Sequence, residues 1–189
     1  MIETTLGEAV RAGGGFVQTG PFGSQLHASD YSAVGMPVVM PQDITQDRID
    51  TEKIARVSPE HVQRLKRHIL VDGDIVFSRR GDVRRRALVT ETSAGWLCGT
   101  GCLLVRPGNP GDIDPRYLFY YLGQPHIGDW IAARAIGATL PNLNTSILDA
   151  VPLYLPPIAE QRRIASILGA LDDKIELNRK MNKTLEELA

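Results

Sequence analysis

Residues 151–189 read "VPLYLPPIAEQRRIASILGALDDKIELNRKMNKTLEELA", and the chain changes character within them. Pro152, Pro156 and Pro157 punctuate the start; beyond them come no proline, the single glycine Gly169 and a run of strong helix formers. Stepping alternately by four and three from Ile164 gives Leu168, Leu171, Ile175, Asn178, Asn182, Leu185 and Ala189, a heptad seam lasting more than three repeats. Two asparagines stand in an otherwise apolar seam. A polar residue there costs stability but fixes register and partner, so Asn178 and Asn182 point to a helix meant for one specific mate. A helix of about 30 residues is about 45 Å long at 1.5 Å per residue. That is more than the preceding domain can cover, and the helix is expected to project.

Upstream, short β-branched runs at "FVQ" (16–18), "PVVM" (37–40), "DIVFS" (74–78), "ALVT" (87–90) and "WLCGTGCLLV" (96–105) are bounded by Gly, Pro and Asp, as strands are. Helices fall between them. Ser58 and Pro59 form an N-cap and N1 pair, and Val62, Leu65 and Ile69 repeat at helical spacing through "SPEHVQRLKRHIL". Asp114 and Pro115 repeat the device before "RYLFYYL", whose aromatic residues read as core. The expected fold is α+β, a mixed domain over 1–157 followed by a coiled-coil-type helix over 158–189.

The formal net charge of −1 hides an uneven distribution. Residues 1–55, 56–86, 87–159 and 160–189 carry net −4, +5, −2 and 0. One basic segment inside an acidic or neutral chain is the pattern of a local anion-binding face. Its densest part is "RRGDVRRR" (79–86), which begins at the end of the strand at 75–78 and continues through a Gly-containing loop. A sequence pI near 6.4 falls well short of the value above about 9 expected of a self-sufficient DNA-binding domain.

Several function classes lack their motifs. A glycine-rich cofactor loop after a strand and an Asn/Asp-Pro-Pro-aromatic tetrapeptide would mark an amino-methyltransferase, and neither "RAGGGF" nor "LPPI" qualifies. The Gly-x4-Gly-Lys-Ser/Thr loop of ATP-binding proteins is missing. His27, His61, His68 and His126 are scattered, and Cys98 and Cys102 read as a reduced pair on a buried strand, so no metal or other cofactor is expected. With no secretory signal and no apolar run of the roughly 18 residues that would span a bilayer, the chain is read as soluble, cytoplasmic and without membrane contact.

The stretch "LPNLNTSILDAVPLYLPPIAEQRRIASILGALDDKIELNRKMNKTLEELA" resembles the conserved region of the specificity subunits of Type I restriction–modification systems. Upstream, "TGPFGSQLHASDY" (19–31), "GMPVV" (35–39) and "GDIVFSRRG" (73–81) resemble that family's target recognition domain. The resemblance implies a non-catalytic module that reads half of a split target in double-stranded DNA. It further implies partners: adenine methyltransferase subunits, and through them a restriction and translocation subunit. Such subunits normally carry two recognition domains with two antiparallel spacer helices, and this chain has one of each. It therefore looks like half a subunit, natural or a fragment, with self-association or a second half-subunit expected through Ile164, Leu168, Leu171, Ile175, Asn178, Asn182 and Leu185. The competing reading is a scaffold or inhibitory half-subunit that holds the methyltransferase without reading DNA.

Under that resemblance, Ser78, Arg79 and Arg80 stand at the strand end in "SRRG". Arg79 and Arg80 are expected to reach DNA, because a planar guanidinium grips phosphate or takes guanine O6 and N7 together. Arg84, Arg85 and Arg86 are expected at phosphates. Gly20, Pro21, Phe22, Gly23, Ser24 and Gln25 form either a turn presented to the groove or a structural turn with Phe22 buried. Thr139 and Asn142 complete the candidate set, while Asn144 reads as the N-cap of "TSILDA".

Overall fold

A computed structural model describes residues 2–45, 47–135 and 142–188. In chain order the elements are β1 (Ile2–Thr5), α1 (Leu6–Ala12), β2 (Phe16–Thr19), β3 (Tyr31–Ser32), β4 (Met36–Val39), β5 (Ile44–Thr45), β6 (Arg48–Ile49), β7 (Ala55–Val57) and α2 (Pro59–Arg64). They continue with β8 (Ile75–Ser78), β9 (Arg86–Leu88), β10 (Leu97–Cys98), β11 (Cys102–Arg106), α3 (Pro115–Leu122), α4 (Pro125–Arg134), α5 (Thr145–Asp149), β12 (Pro152–Leu155) and α6 (Ile158–Leu188).

The centre is an antiparallel sheet in the order β2-β11-β8-β9. Successive side chains on a strand point to opposite faces, and here both faces are buried. Ile75, Phe77, Leu103 and Val105 face a layer built from α1, α3, α4 and α5, where they meet Leu6, Leu118, Ile127 and Leu148. Val76, Leu104 and Cys102 point the other way, against Val39, Ile44, Leu70 and Cys98. Those residues lead to a second sheet, β10-β4-β7-β3, whose outer face holds Leu26, Val38, Val57 and Leu65. Cys98 and Cys102 are free thiols on β10 and β11, and burial pushes the Cys102 thiol well above its ordinary range.

Local signals set several boundaries. The Asp114 carboxylate accepts from the Tyr117 amide at 2.9 Å and starts α3. Asn144 Oδ1 does the same for Ile147 at 2.9 Å and starts α5. Ser58 does not cap α2; its hydroxyl bonds His61 Nδ1 at 2.9 Å instead. The helical spacing through 58–70 resolves into α2 and a separate 3-10 turn, Lys66–His68, although Leu65 still reaches the core. The run at 96–105 is likewise two strands, split at Gly99, Thr100 and Gly101.

The long helix is present, and its root is tied to the domain. The Gln161 side chain is almost fully buried: its Oε1 accepts from the Asp114 amide at 2.9 Å, and its Nε2 donates to the Asp112 and Pro156 carbonyls at 3.2 and 2.9 Å. Ala165 and Gly169 continue the same face. A Cβ at Gly169 would stand 3.2 Å from Nη1 of Arg116, a residue of α3, which packs against this face of α6. Tyr120 Oη donates to Asp172 at 2.8 Å, and Arg48 of β6 pairs with Glu176. From Leu177 to Leu188 every residue is exposed. The seam residues Leu171, Ile175 and Leu185 are exposed, Ile164 and Leu168 are half-buried, and Ile167, Met181 and Leu188 widen the exposed apolar stripe.

Replacing Gln161 with Leu removes three hydrogen bonds to part-buried backbone groups and should destabilise the fold by about 2–3 kcal/mol. Lys180→Ala, on the exposed stretch and off the seam, should stay within about 0.5 kcal/mol. Urea denaturation of both variants measures the difference.

Candidate nucleic-acid interface

The antiparallel register of β2, β11 and β8 brings the end of β2, the start of β11 and the end of β8 to one sheet edge, because Thr19 pairs with Leu103 and Ser78 with Cys102. Three loops therefore meet there. The Gly20 amide donates to the Cys102 carbonyl at 2.9 Å, and the Arg79 amide donates to the Gly101 carbonyl at 2.8 Å. Any side chain at Gly20 would collide with the Gly99 carbonyl, which is the physical reason for glycine at that position. Asn142 joins from the far side: it forms an isolated bridge with Arg80, the Leu143 amide donates to the Arg79 carbonyl at 2.8 Å, and Arg79 Nε donates to Asn142 Oδ1 at 3.2 Å.

The arginine loop joins β8 to β9 and is shaped by three residues that are not arginine. Val83 is buried in the helix-side core and pins the loop's middle. Asp82 Oδ1 accepts from the Arg84 amide at 3.1 Å, and Gly81 adopts a left-handed conformation, φ 74°, that favours glycine. Around this frame the five arginines diverge. Arg80 and Arg85 are exposed, with Arg85 Nε 3.7 Å from Asp82. Arg84 is exposed but paired to Asp129 of α4 at 2.8 Å.

Arg86 corrects the expectation from sequence. Its side chain is buried, with Nη1 3.1 Å from Asp47, Nε donating to the Phe119 carbonyl at 3.2 Å and the guanidinium 4.7 Å from the Phe119 ring centroid. Burial pulls its pKa below the ordinary arginine range while Asp47 pulls it back up. A guanidinium held this way is a structural group and is turned away from any phosphate. Ser78 is also buried, its hydroxyl donating to the Arg80 carbonyl at 2.8 Å, so it shapes the loop and offers nothing outward.

The turn after β2 divides similarly. Gly20 and Pro21 are buried, whereas Phe22 is 58% exposed, contrary to the reading that buries it. Gly23 and Ser24 are exposed beside Phe22, and Gln25 Oε1 closes the turn on the Phe22 amide at 3.1 Å. Thr139 lies outside the described residues.

Residues the sequence reading did not single out border the same edge. Arg64 Nη2 donates to the Gln25 carbonyl at 2.8 Å, and Gln18 Nε2 donates to the Arg67 carbonyl at 2.8 Å. These contacts bring Arg64 to the turn at 22–25 and the Arg67 main chain to β2, and the Arg64, Lys66 and Arg67 side chains are exposed. The net +5 of residues 56–86 was the only signal for them. Among the described residues, no group of three or more His, Cys, Asp or Glu could hold a metal, and no helix is long and apolar enough to cross a membrane.

The family described as the Type I restriction modification DNA specificity domain matches residues 23–187. The chain is 31% identical over 161 residues to the putative type I restriction enzyme MjaX specificity subunit of Methanocaldococcus jannaschii, covering 82% of this chain and 36% of that protein. It is 29% identical over 120 residues to the type I restriction enzyme HindI specificity subunit of Haemophilus influenzae, covering 62% of this chain and 26% of that one. Among solved structures, the HsdS subunit from Thermoanaerobacter tengcongensis is similar with a TM-score of 0.64 at 22% identity, over 93% of this chain and 38% of the other. The S subunit of a Type I restriction-modification system from M. genitalium gives 0.62 at 17% identity, over 95% and 42%. The chain spans less than half the length of each of these proteins. The structural likenesses bear on the fold.

The two kinds of loop arginine should separate by stability. Arg86→Ala removes the Phe119 contacts and should cost about 1–3 kcal/mol, whereas Arg85→Ala should change stability by less than about 0.5 kcal/mol. Thermal or urea melts of the two variants decide this, and equal losses would contradict the structural assignment of Arg86.

Proposed function

The chain belongs to the Type I restriction modification DNA specificity domain family, and from that premise we propose that it is a non-catalytic module reading one half of a split target in double-stranded DNA. It acts in the cytoplasm and directs adenine methyltransferase subunits, and through them a restriction and translocation subunit, to that target. The observation that carries this reading is the convergence of three loops and Asn142 on one sheet edge, bordered by exposed cations from two separate segments.

Roles follow from what each side chain has free. Arg79, half-buried and held at Nε, is suited to a base edge, where a bidentate contact to guanine needs a guanidinium of fixed direction. Arg80, Arg85, Arg64, Lys66 and Arg67 are exposed and suited to phosphates, which set position without specifying sequence. Phe22, Ser24 and Gln25 sit on the turn that reaches the same edge. Arg84 contributes less, because Asp129 already neutralises it.

The exposed stripe of α6 supports a second part of the proposal. Leu171, Ile175, Asn178, Asn182 and Leu185, widened by Ile167 and Met181, pair with a like helix, either a second copy of this chain or a second half-subunit. With a second copy the helices run antiparallel about a two-fold axis, and the two recognition domains then read mirror-order half-sites. Asn178 and Asn182 lie where their amides can pair across that axis and fix the register.

Two measurements test these parts separately. About five phosphate contacts give a log–log slope of affinity against salt of roughly −4.5 for duplex DNA; Arg85→Ala should flatten it by about one unit, and Arg84→Ala by less. A wild-type slope near zero would remove the DNA reading. Sedimentation at micromolar concentration should show a dimer that Leu171→Glu combined with Leu185→Glu converts to monomer. A wild-type monomer would leave only the heterologous partner.

A further inference from the structure

Asn142 makes contacts of a different kind from those of the loop cations. Its backbone bridges Arg80, the next amide, that of Leu143, donates to the Arg79 carbonyl at 2.8 Å, and its side-chain oxygen accepts from Arg79 Nε at 3.2 Å. The Arg79 main chain is held from the other side by the Gly101 carbonyl, 2.8 Å from its amide. A guanidinium offers five N–H groups in a rigid fork, and the hydrogen bond at Nε occupies only the inner one. Among the described residues, Nη1 and Nη2 carry no hydrogen bond.

We propose that Asn142 is a positioning residue: it fixes the direction of the Arg79 guanidinium so that Nη1 and Nη2 face one base pair of the target, and it does not itself touch DNA. This rests on the DNA-reading function above and replaces the direct contact expected for Asn142 from sequence. The chemistry favours the division. A free arginine side chain loses rotamer entropy when it is immobilised, and a hydrogen bond made before binding removes part of that loss from the binding step. Base readout depends on geometry and phosphate contact does not, so the Nε hydrogen bond governs sequence preference and leaves general affinity nearly alone.

The test is enrichment of duplexes from a pool with a randomised centre, using the full chain at micromolar concentration and low salt. Wild type enriches one motif. Arg79→Ala should lose preference at one base pair by about tenfold, the scale of a single bidentate contact. Asn142→Leu, similar in shape but without an acceptor, should lose preference at that same base pair, by less, and keep total duplex affinity within about twofold. Asn142→Asp keeps the acceptor and should retain the preference, which keeps the proposal open to failure even if Asn142→Leu does not fold. The double variant Arg79→Ala with Asn142→Leu should be no worse than Arg79→Ala alone. Loss of preference at a different base pair, additive losses in the double variant, or loss in Asn142→Asp would overturn the positioning role while leaving DNA reading intact. A wild-type chain that enriches nothing would overturn both.

Discussion

The Gln161 amide is the contact through which the recognition domain and the long helix become one object. Its three hydrogen bonds reach the Asp112 carbonyl, the Asp114 amide and the Pro156 carbonyl, so one side chain joins the loop before α3 to the first turn of α6. A buried amide with every group paired has one low-energy orientation, and departure from it strands donors and acceptors away from water. The direction of α6 is thereby fixed at its root. Gly169 against α3, Tyr120 on Asp172 and Arg48 on Glu176 carry the alignment along the helix. Any partner that takes the exposed stripe beyond Glu176 is placed at a set distance and angle from the sheet edge, which is the geometric requirement for reading two half-sites at a set spacing.

The same economy of construction shapes the sheet edge. The central sheet is buried on both faces by alternating residues, Phe77 to the helices and Val76 to the second sheet, so its strands cannot slip by one residue without exchanging two cores. That rigid register sets three loop ends side by side. Within the arginine loop, the buried groups Val83, Ser78 and Arg86 hold the conformation, and Arg80 and Arg85 are exposed. Five arginines in eight positions therefore stand in different surroundings.

What was legible in the sequence was what local chemistry decides. Asp114-Pro115 and Asn144 announced the starts of α3 and α5, and each cap is made by the side chain named. The long helix and its projection followed from composition and length. What required the folded chain was set by distant partners. Arg86 looked like its neighbours until Asp47 and Phe119, far away in sequence, enclosed it. Ser58 had a competing partner in His61. Gly99, Thr100 and Gly101 read as part of a strand because flanking Leu97, Cys98 and Cys102 are β-formers, yet close approach of Gly20 and Met40 to Gly99 makes that segment a corner of the site. Arg64, Lys66 and Arg67 were visible only as regional charge, since the approach of their segment to β2 and to the turn after it depends on how α2 packs.

The edge is proposed to select a DNA sequence on behalf of a methyltransferase. The most direct measurement is the genome-wide pattern of adenine methylation in cells carrying the methyltransferase partner, with and without this chain. A new methylated motif, split in two, should appear only when the chain is present and lose one base pair of definition with Arg79→Ala. An unchanged methylation pattern, with the chain folded and bound to the methyltransferase, would contradict it.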